Sequence, residues 1–162
     1  MTSTDSPILI AYDGSEPARQ AVVHAGQLFR GQSAVVATAW SSVREAARAA
    51  RAALPQAVIN DAVRNIDKAA EEEASQTAAE GVGLATEAGL KASALTLEGE
   101  PSVSGGLVRR ADELQARVIV IGSRGQSAIK SALLGSVSHA VVHRAGRPVL
   151  VVHPADEPPA GA

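Results

Sequence analysis

An α/β fold with a mostly parallel sheet is the architecture that the sequence predicts, and three observations predict it. Short β-branched runs alternate along the chain with longer Ala-rich amphipathic stretches. The last two runs are apolar throughout, as strands covered by helices on both faces must be. At 162 residues the chain can bury roughly 70% of its unfolded surface in one core, so one domain is expected rather than two.

The elements follow in order. Ile8 to Tyr12 is the first strand candidate. A helix should follow it, capped by the Ser15 hydroxyl, with Pro17 tolerated in its first turn and Gly31 near its end. Ala34 to Trp40 reads as the second strand, and Ser41 to Leu54 and Val58 to Leu84 as helical, with Pro55 breaking or kinking the join. In the longer stretch, Val58, Ala62, Ile66 and Ala70 are expected to form one stripe. Ala92 to Glu98 is the third strand. Val103 to Leu114 is the next helix, although Gly105 and Gly106 weaken it by about 1 kcal/mol each relative to Ala. Val118 to Gly122 is the fourth strand. Ser136 opens a helix that runs to about Arg144, where Gly146, Arg147 and Pro148 end it before the fifth strand, Val149 to Val152. One domain is expected over residues 1 to 153, followed by a Pro- and Ala-rich tail, 154 to 162, that reads as disordered.

Composition narrows the chemistry. Fifteen Lys plus Arg stand against 17 Asp plus Glu, a net charge of −2, so the electrostatic attraction that dominates nucleic-acid affinity is missing. Tyr12, Phe29 and Trp40, the only aromatics, make no stacking platform for bases. Nucleic acid is therefore not an expected partner. The absence of cysteine removes disulfides, thiolate metal sites and a Cys nucleophile together. No apolar run approaches the roughly 20 residues that cross a bilayer, and the polar start, Met1 to Pro7, has no leader pattern. A cytoplasmic protein without a membrane partner is expected. Arg44, Arg48 and Arg51 share one helical face and read as a solvated stripe rather than a docking surface.

The most informative segment is Gly122-Ser123-Arg124-Gly125, then nine residues, then Gly135-Ser136 opening a helix. Glycine lets backbone N–H groups approach an anion closely, and the free N–H groups and positive dipole end of a helix favour phosphate. The Ser136 hydroxyl can donate a further bond. A glycine pair after a strand also serves a plain turn, but the whole constellation in its strand-loop-helix setting points to a phosphate. Two better-known phosphate loops are excluded. No Gly-Lys pair exists for a P-loop, and the first strand is followed by Asp13-Gly14-Ser15-Glu16-Pro17 rather than a dinucleotide fingerprint. His139 and His143 stand four apart, as metal-sharing imidazoles do, without a third ligand, and read as surface or contact histidines. No Gly-x-Ser-x-Gly elbow supports a serine hydrolase.

Ile8 to Ser15, the spaced Gly122, Gly125, Gly135 and Ser136, and the closing Arg147-Pro148-Val149-Leu150-Val151-Val152 resemble the universal stress protein family over nearly the whole chain. The Gly-x2-Gly-x9-Gly-Ser spacing is similar to that of its ATP-binding branch. The resemblance implies an open five-stranded parallel sheet in the order 3-2-1-4-5 with helices on both faces, of the adenine nucleotide alpha hydrolase type. It also implies a homodimer, which the wholly apolar edge Val149 to Val152 would help to form. Ligands of open α/β sheets sit beyond the strands' carboxyl ends where the winding reverses, which in this order lies between strands one and four.

By similarity, Ala11 and Asp13 would lie near ribose and adenine, and the backbone of Ala39 at the adenine edge. Gly122, Ser123, Arg124, Gly125, Gly135, Ser136 and Val137 would hold ribose and phosphates. Asp13 is open to three roles: bonding the nucleoside, holding a divalent cation through water, or capping the following turn. Arg124 either neutralises phosphate charge or faces solvent. Lys130, with Ser127 and Ser131, lies on a polar loop that ligand would order. Gly105-Gly106 and Arg117 depart from the family pattern, and the Ser41 to Leu54 segment stands where it would shield or crowd an adenine pocket. The leading expectation is a regulatory ATP-binding protein, with or without magnesium or manganese, acting on an unidentified protein partner. The alternatives are a slow ATP hydrolase or phosphotransferase using Asp13 and a divalent ion, and a structural stress protein whose pocket is empty or takes another adenine nucleotide.

Overall fold

The computed structural model describes residues 6–44, 47, 55–99, 101–126 and 134–154. In chain order its elements are β1 (Ile8–Ala11), α1 (Glu16–Leu28), β2 (Ser33–Trp40), α2 (Gln56–Glu87), β3 (Lys91–Glu98), α3 (Val103–Glu113), β4 (Val118–Gly122), α4 (Ser136–Arg144) and β5 (Val149–Val152). The five strands form one sheet in the order β3-β2-β1-β4-β5, parallel at every pairing. Ile8 stands opposite Ala34 on one side and Val118 on the other, so β1 is the central strand.

Alternation along the strands builds a core on each face. Ile8 and Ile10 of β1 with Val118 and Val120 of β4 pack beneath Ala18, Ala21, Val22 and Ala25 of α1 and Ala85 of α2. Leu9, Ile119 and Ile121 point the other way, toward Leu107 and Ala111 of α3 and Val141 of α4. Two cores back to back explain why β4 has no polar residue: all five of its positions are buried.

The start of each helix matches its local chemistry. Ser15 caps α1, its hydroxyl accepting from the Ala18 N–H at 3.4 Å, and Ser102 caps α3 through the Gly105 N–H at 3.1 Å. The second glycine of α3 has a packing reason. A Cβ on Gly106 would stand 2.9 Å from Leu97 Cδ1, so glycine lets the helix lie close on β3. The unexpected Arg117 lays its guanidinium 5.9 Å from the Phe29 ring centre, a cation–π contact.

One expectation needs correcting. The stripe Val58, Ala62, Ile66 is exposed, and only Ala70 is partly covered. The buried stripe of α2 is Ile59, Asp67, Ala74, Ala78, Gly81 and Ala85. At 3.6 residues per turn, positions taken every fourth residue drift by about 40° per step, so the expected stripe winds from solvent toward the core rather than along it. The Ser41 to Leu54 helix expectation lies outside the described residues apart from 41–44 and 47, and the tail expectation lies outside them apart from Pro154. Among the described residues, no helix is long and apolar enough to cross a membrane.

At the amino ends of the strands the connections close on each other. Arg117 N–H donates to Pro7 O at 3.1 Å, Lys91 N–H to Gln32 O at 2.9 Å, and Gly31 N–H to Gly89 O at 2.7 Å. On the same rim Arg147, just before β5, binds the carbonyls of Ala111 and Ala116 and the carboxylate of Asp112, and so fastens the end of α3 to the last strand. Its five fixed donors suit the unpaired carbonyls at a helix C-terminus.

Candidate functional site

At the opposite rim, the carboxyl ends of β1, β2 and β4 surround a crevice of about 650 Å3, a size within the range of small-molecule sites. It lies where the strand order reverses between β1 and β4. The structure brings Ala11, Asp13, Ala39, Gly122, Arg124, Gly125, Gly135, Ser136 and Val137 to its walls. Each arrives for a local reason. Ala11 and Ala39 end on strands whose small side chains leave the floor open. The turn after β4 brings Gly122 to Gly125 over the start of α1, and Gly135 is the N-cap of α4.

Ser123 is the exception among the expected site residues. Its N–H donates to Val152 O at 2.8 Å, and its carbonyl accepts from Gly135 N–H at 2.7 Å and Ser138 Oγ at 2.9 Å. It is fully buried and joins β4, β5 and α4 instead of facing the crevice. Because Gly135 N–H is spent on this joint, the donors left at the mouth of α4 are those of Ser136, Val137 and Ser138, the first turn for which a helix has no internal partners.

Of the roles open for Asp13, the turn-capping one is visible in its hydrogen bonds. One carboxylate oxygen accepts from the Ser15 N–H at 3.0 Å, fixing the turn into α1, and the other accepts from the Gln126 N–H at 3.1 Å. The Gln126 side-chain amide returns a bond to the Asp13 carbonyl. Asp13 thereby ties the end of β1 to the glycine turn of β4 across the crevice. A Cβ at 125 would stand 2.7 Å from Asp13 Oδ2, so glycine there leaves the carboxylate in its place across the crevice.

With that geometry in place, comparison with known proteins decides the family. A family model described as the universal stress protein family matches residues 6–153. The chain belongs to the universal stress protein family. A universal stress protein of Thermus aquaticus, from the QAH/OAS sulfhydrylase 3′ region, is 32% identical over 148 residues, covering 90% of this chain and 96% of its own. A universal stress protein solved in complex with cAMP is 27% identical, with a TM-score of 0.59 over 91% of this chain and 95% of its own. One from Archaeoglobus fulgidus, solved in complex with dAMP, is 21% identical, with a TM-score of 0.62 over 90% and 96%.

This family member carries two polar constellations at its crevice that sequence reasoning missed. Tyr12 is buried beside Asp13, its hydroxyl donating to Glu80 Oε1 at 2.9 Å, while Glu80 also pairs with Arg19. Burial, then the bond to Glu80 and its negative charge, push the phenol up to about 12. As the chain's only tyrosine, it can be titrated directly by ultraviolet absorbance. We expect ionisation near pH 12, shifting downward in Glu80→Gln, and a midpoint at the ordinary 10.0 would contradict the burial. Because the folded value lies above the unfolded one, the stabilisation is complete below pH 10 and is lost as pH rises toward 12.

The second constellation centres on Asp67 of α2, 6% exposed. Its carboxylate accepts from Ser42 Oγ at 2.7 Å and Val43 N–H at 2.9 Å, and Arg44 Nε lies 3.3 Å away. Burial alone would raise its pKa, but these bonds and the Arg44 charge outweigh it and hold the carboxyl below 3.8. Arg44 is exposed, as a solvated stripe predicts, and its guanidinium also reaches Asp67 from the solvent side, while Arg48 and Arg51 lie outside the described residues. An acidic residue eight positions after Ile59, on the buried stripe, is the one sequence signal that points to it.

Lys130, Ser127 and Ser131 also lie outside the described residues. His139 and His143 are exposed with ring centres 4.5 Å apart. No group of three or more metal-ligating side chains occurs among the described residues.

Proposed function

We propose that the crevice takes up an adenine nucleotide, ATP in the first place, as a regulatory ligand of this stress protein. The observation that carries the reading is the first turn of α4, whose Ser136 and Val137 N–H groups find no partner among the described residues and open beside the Gly122 to Gly125 turn onto a crevice of nucleotide size. Ser136 and Val137 would hold phosphate, Arg124 would offset its charge, and the small walls at Ala11 and Ala39 would admit the base. The cAMP and dAMP complexes of the two related proteins support an adenine base. A bound nucleotide, alone or with magnesium or manganese, would supply the phosphate charge that organises this rim.

The test is calorimetry on the full chain with ATP, expected to give a micromolar Kd. Ser136→Asp separates phosphate binding from folding. A carboxylate at a helix N-terminus stabilises the helix by about 0.3–1 kcal/mol but repels phosphate. ATP affinity should fall by at least about tenfold, which about 1.4 kcal/mol of repulsion suffices to give, while the melting temperature holds or rises. Undiminished ATP binding in this variant would remove phosphate from the site.

Turnover is read as slow or absent, because the glycine turn and the start of α4 supply binding to ground-state phosphates, and binding the ground state alone does not accelerate phosphoryl transfer. A single-turnover rate near the roughly 1–100 per second of kinases would restore the enzymatic reading. The fold unit, taken as residues 1 to 153, is read as a cytoplasmic homodimer joined through β5, whose outer edge no other strand covers among the described residues. Its occupancy would govern contacts to a regulatory protein partner. Light scattering that gives a monomer at micromolar concentration would overturn the dimer.

A further inference from the structure

We infer that Asp67 is the positioning residue for the nucleoside end of the crevice: it sets the gap between the exit of β2 and α2, and so selects the nucleoside part of a ligand without touching it. The inference rests on the nucleotide reading above and deepens it.

Three observations lead to it. The crevice has two ends built by different elements. One end is the Gly122 turn and the start of α4. The other is formed by Trp40 and Ser41, where β2 ends, facing Ala70 and Ala74 of α2. Asp67 precedes Ala70 by three residues, so one helical turn separates the anchor from the wall it serves. The chain leaving β2 is held to that anchor at consecutive residues, through Ser42 Oγ and the Val43 N–H, and Ser42 Oγ also accepts the Arg44 N–H at 3.2 Å. A turn with its side chain and backbone both fastened to one buried carboxylate has little freedom to close on or retreat from α2.

The second observation is cost. A buried carboxylate must be paired or hydrogen-bonded to offset its desolvation, so whatever supplies those bonds is held to it. Asp67 lies away from the phosphate end, and its partners all belong to the segment that continues Trp40 and Ser41. The third is independence of the two ends. The glycine turn is held by Asp13 and by the joint at Ser123, neither of which shares a hydrogen bond with Asp67. Loosening the nucleoside wall should therefore leave the phosphate end as it was.

That separation supplies the test. ATP and inorganic triphosphate are titrated into the full chain and into Asp67→Ala, Asp67→Asn and Ser42→Ala, well below each variant's melting temperature. Asp67→Ala should weaken ATP by about tenfold, the factor that 1.4 kcal/mol of lost organisation corresponds to, and leave triphosphate unchanged. Asp67→Asn, which keeps an acceptor for the Val43 N–H, should recover most of the loss. Ser42→Ala, which removes the Ser42 bond to Asp67 and the Arg44 N–H bond to the same hydroxyl oxygen but leaves the buried charge and its Val43 bond in place, should show a smaller loss confined to ATP and covers the case in which Asp67→Ala does not fold. Equal losses for both ligands, or ATP affinity unchanged in the folded variants, would overturn the inference. A wild-type chain that takes up neither ligand would instead overturn the nucleotide reading, and this one with it.

Discussion

Gly26→Leu is expected to lower the melting temperature by roughly 10 °C, on a cost of about 3 kcal/mol for overpacking and about 2–4 °C per kcal/mol for a chain of this size. Gly26 lies in the last turn of α1, where helix propensity alone would favour alanine or leucine. The crossing with the end of α2 reverses that preference. A Cβ at 26 would overlap the Ala88 methyl and stand 2.6 Å from the Ala88 carbonyl oxygen, which is backbone and cannot swing aside. Even Gly26→Ala should destabilise. Gly83, also inside a helix, is the control: a Cβ there meets nothing within 4 Å, so Gly83→Ala should stabilise by about 1 kcal/mol. Urea titrations of the pair decide the matter, and a stabilised Gly26→Ala would show that the helices separate at little cost.

Gly122→Val is expected to abolish folding and ligand uptake together. The sequence reading gives Gly122 the task of letting backbone approach phosphate, but the space where its side chain would go is already taken. A Cβ would stand 2.9 Å from the carbonyl carbon of Pro17 and 3.0 Å from its oxygen, in the first turn of α1. Valine would drive α1 off β4 and break the core in which Ala18 and Ala21 meet Val118 and Val120. Gly135 differs, since the nearest atoms to its Cβ position are 3.4 Å away. Gly135→Ala should therefore keep the fold. Circular dichroism and calorimetry on both variants separate the roles, and a folded Gly122→Val with wild-type stability would return that glycine to the ligand alone.

Strand and helix limits were legible because local chemistry punctuates them. β4 is an apolar run closed by a glycine turn, and its observed bounds, Val118–Gly122, are those the sequence predicts. The sheet order was legible through the spaced glycines and the Arg147-Pro148 ending, which resemble a known family, and the crevice followed from that order. Other features were illegible because they join residues far apart with no period to betray them: Tyr12 to Glu80, Asp13 to Gln126, Asp67 to Ser42. The structural joint at Ser123 is illegible for a related reason. Its place inside the glycine motif says nothing about the β5 carbonyl that claims its N–H. On α2, alanine at many positions blurs the boundary between core and solvent faces, so an i, i+4 stripe is hard to tell from the 3.6-residue one.

Because every strand runs in the same direction, the molecule has two unlike rims. One is laced by Pro7 to Arg117, Gln32 to Lys91 and the Arg147 clamp, and the other surrounds the crevice. The lacing and the opening of the crevice thus stand at opposite poles of the sheet. Side chains that only line the crevice, such as Ala39 and Val137, can change without touching the lacing, whereas Gly122, Ser123 and Asp13 also hold the crevice rim together. One pole can be reshaped at its lining residues while the other keeps the strands in place.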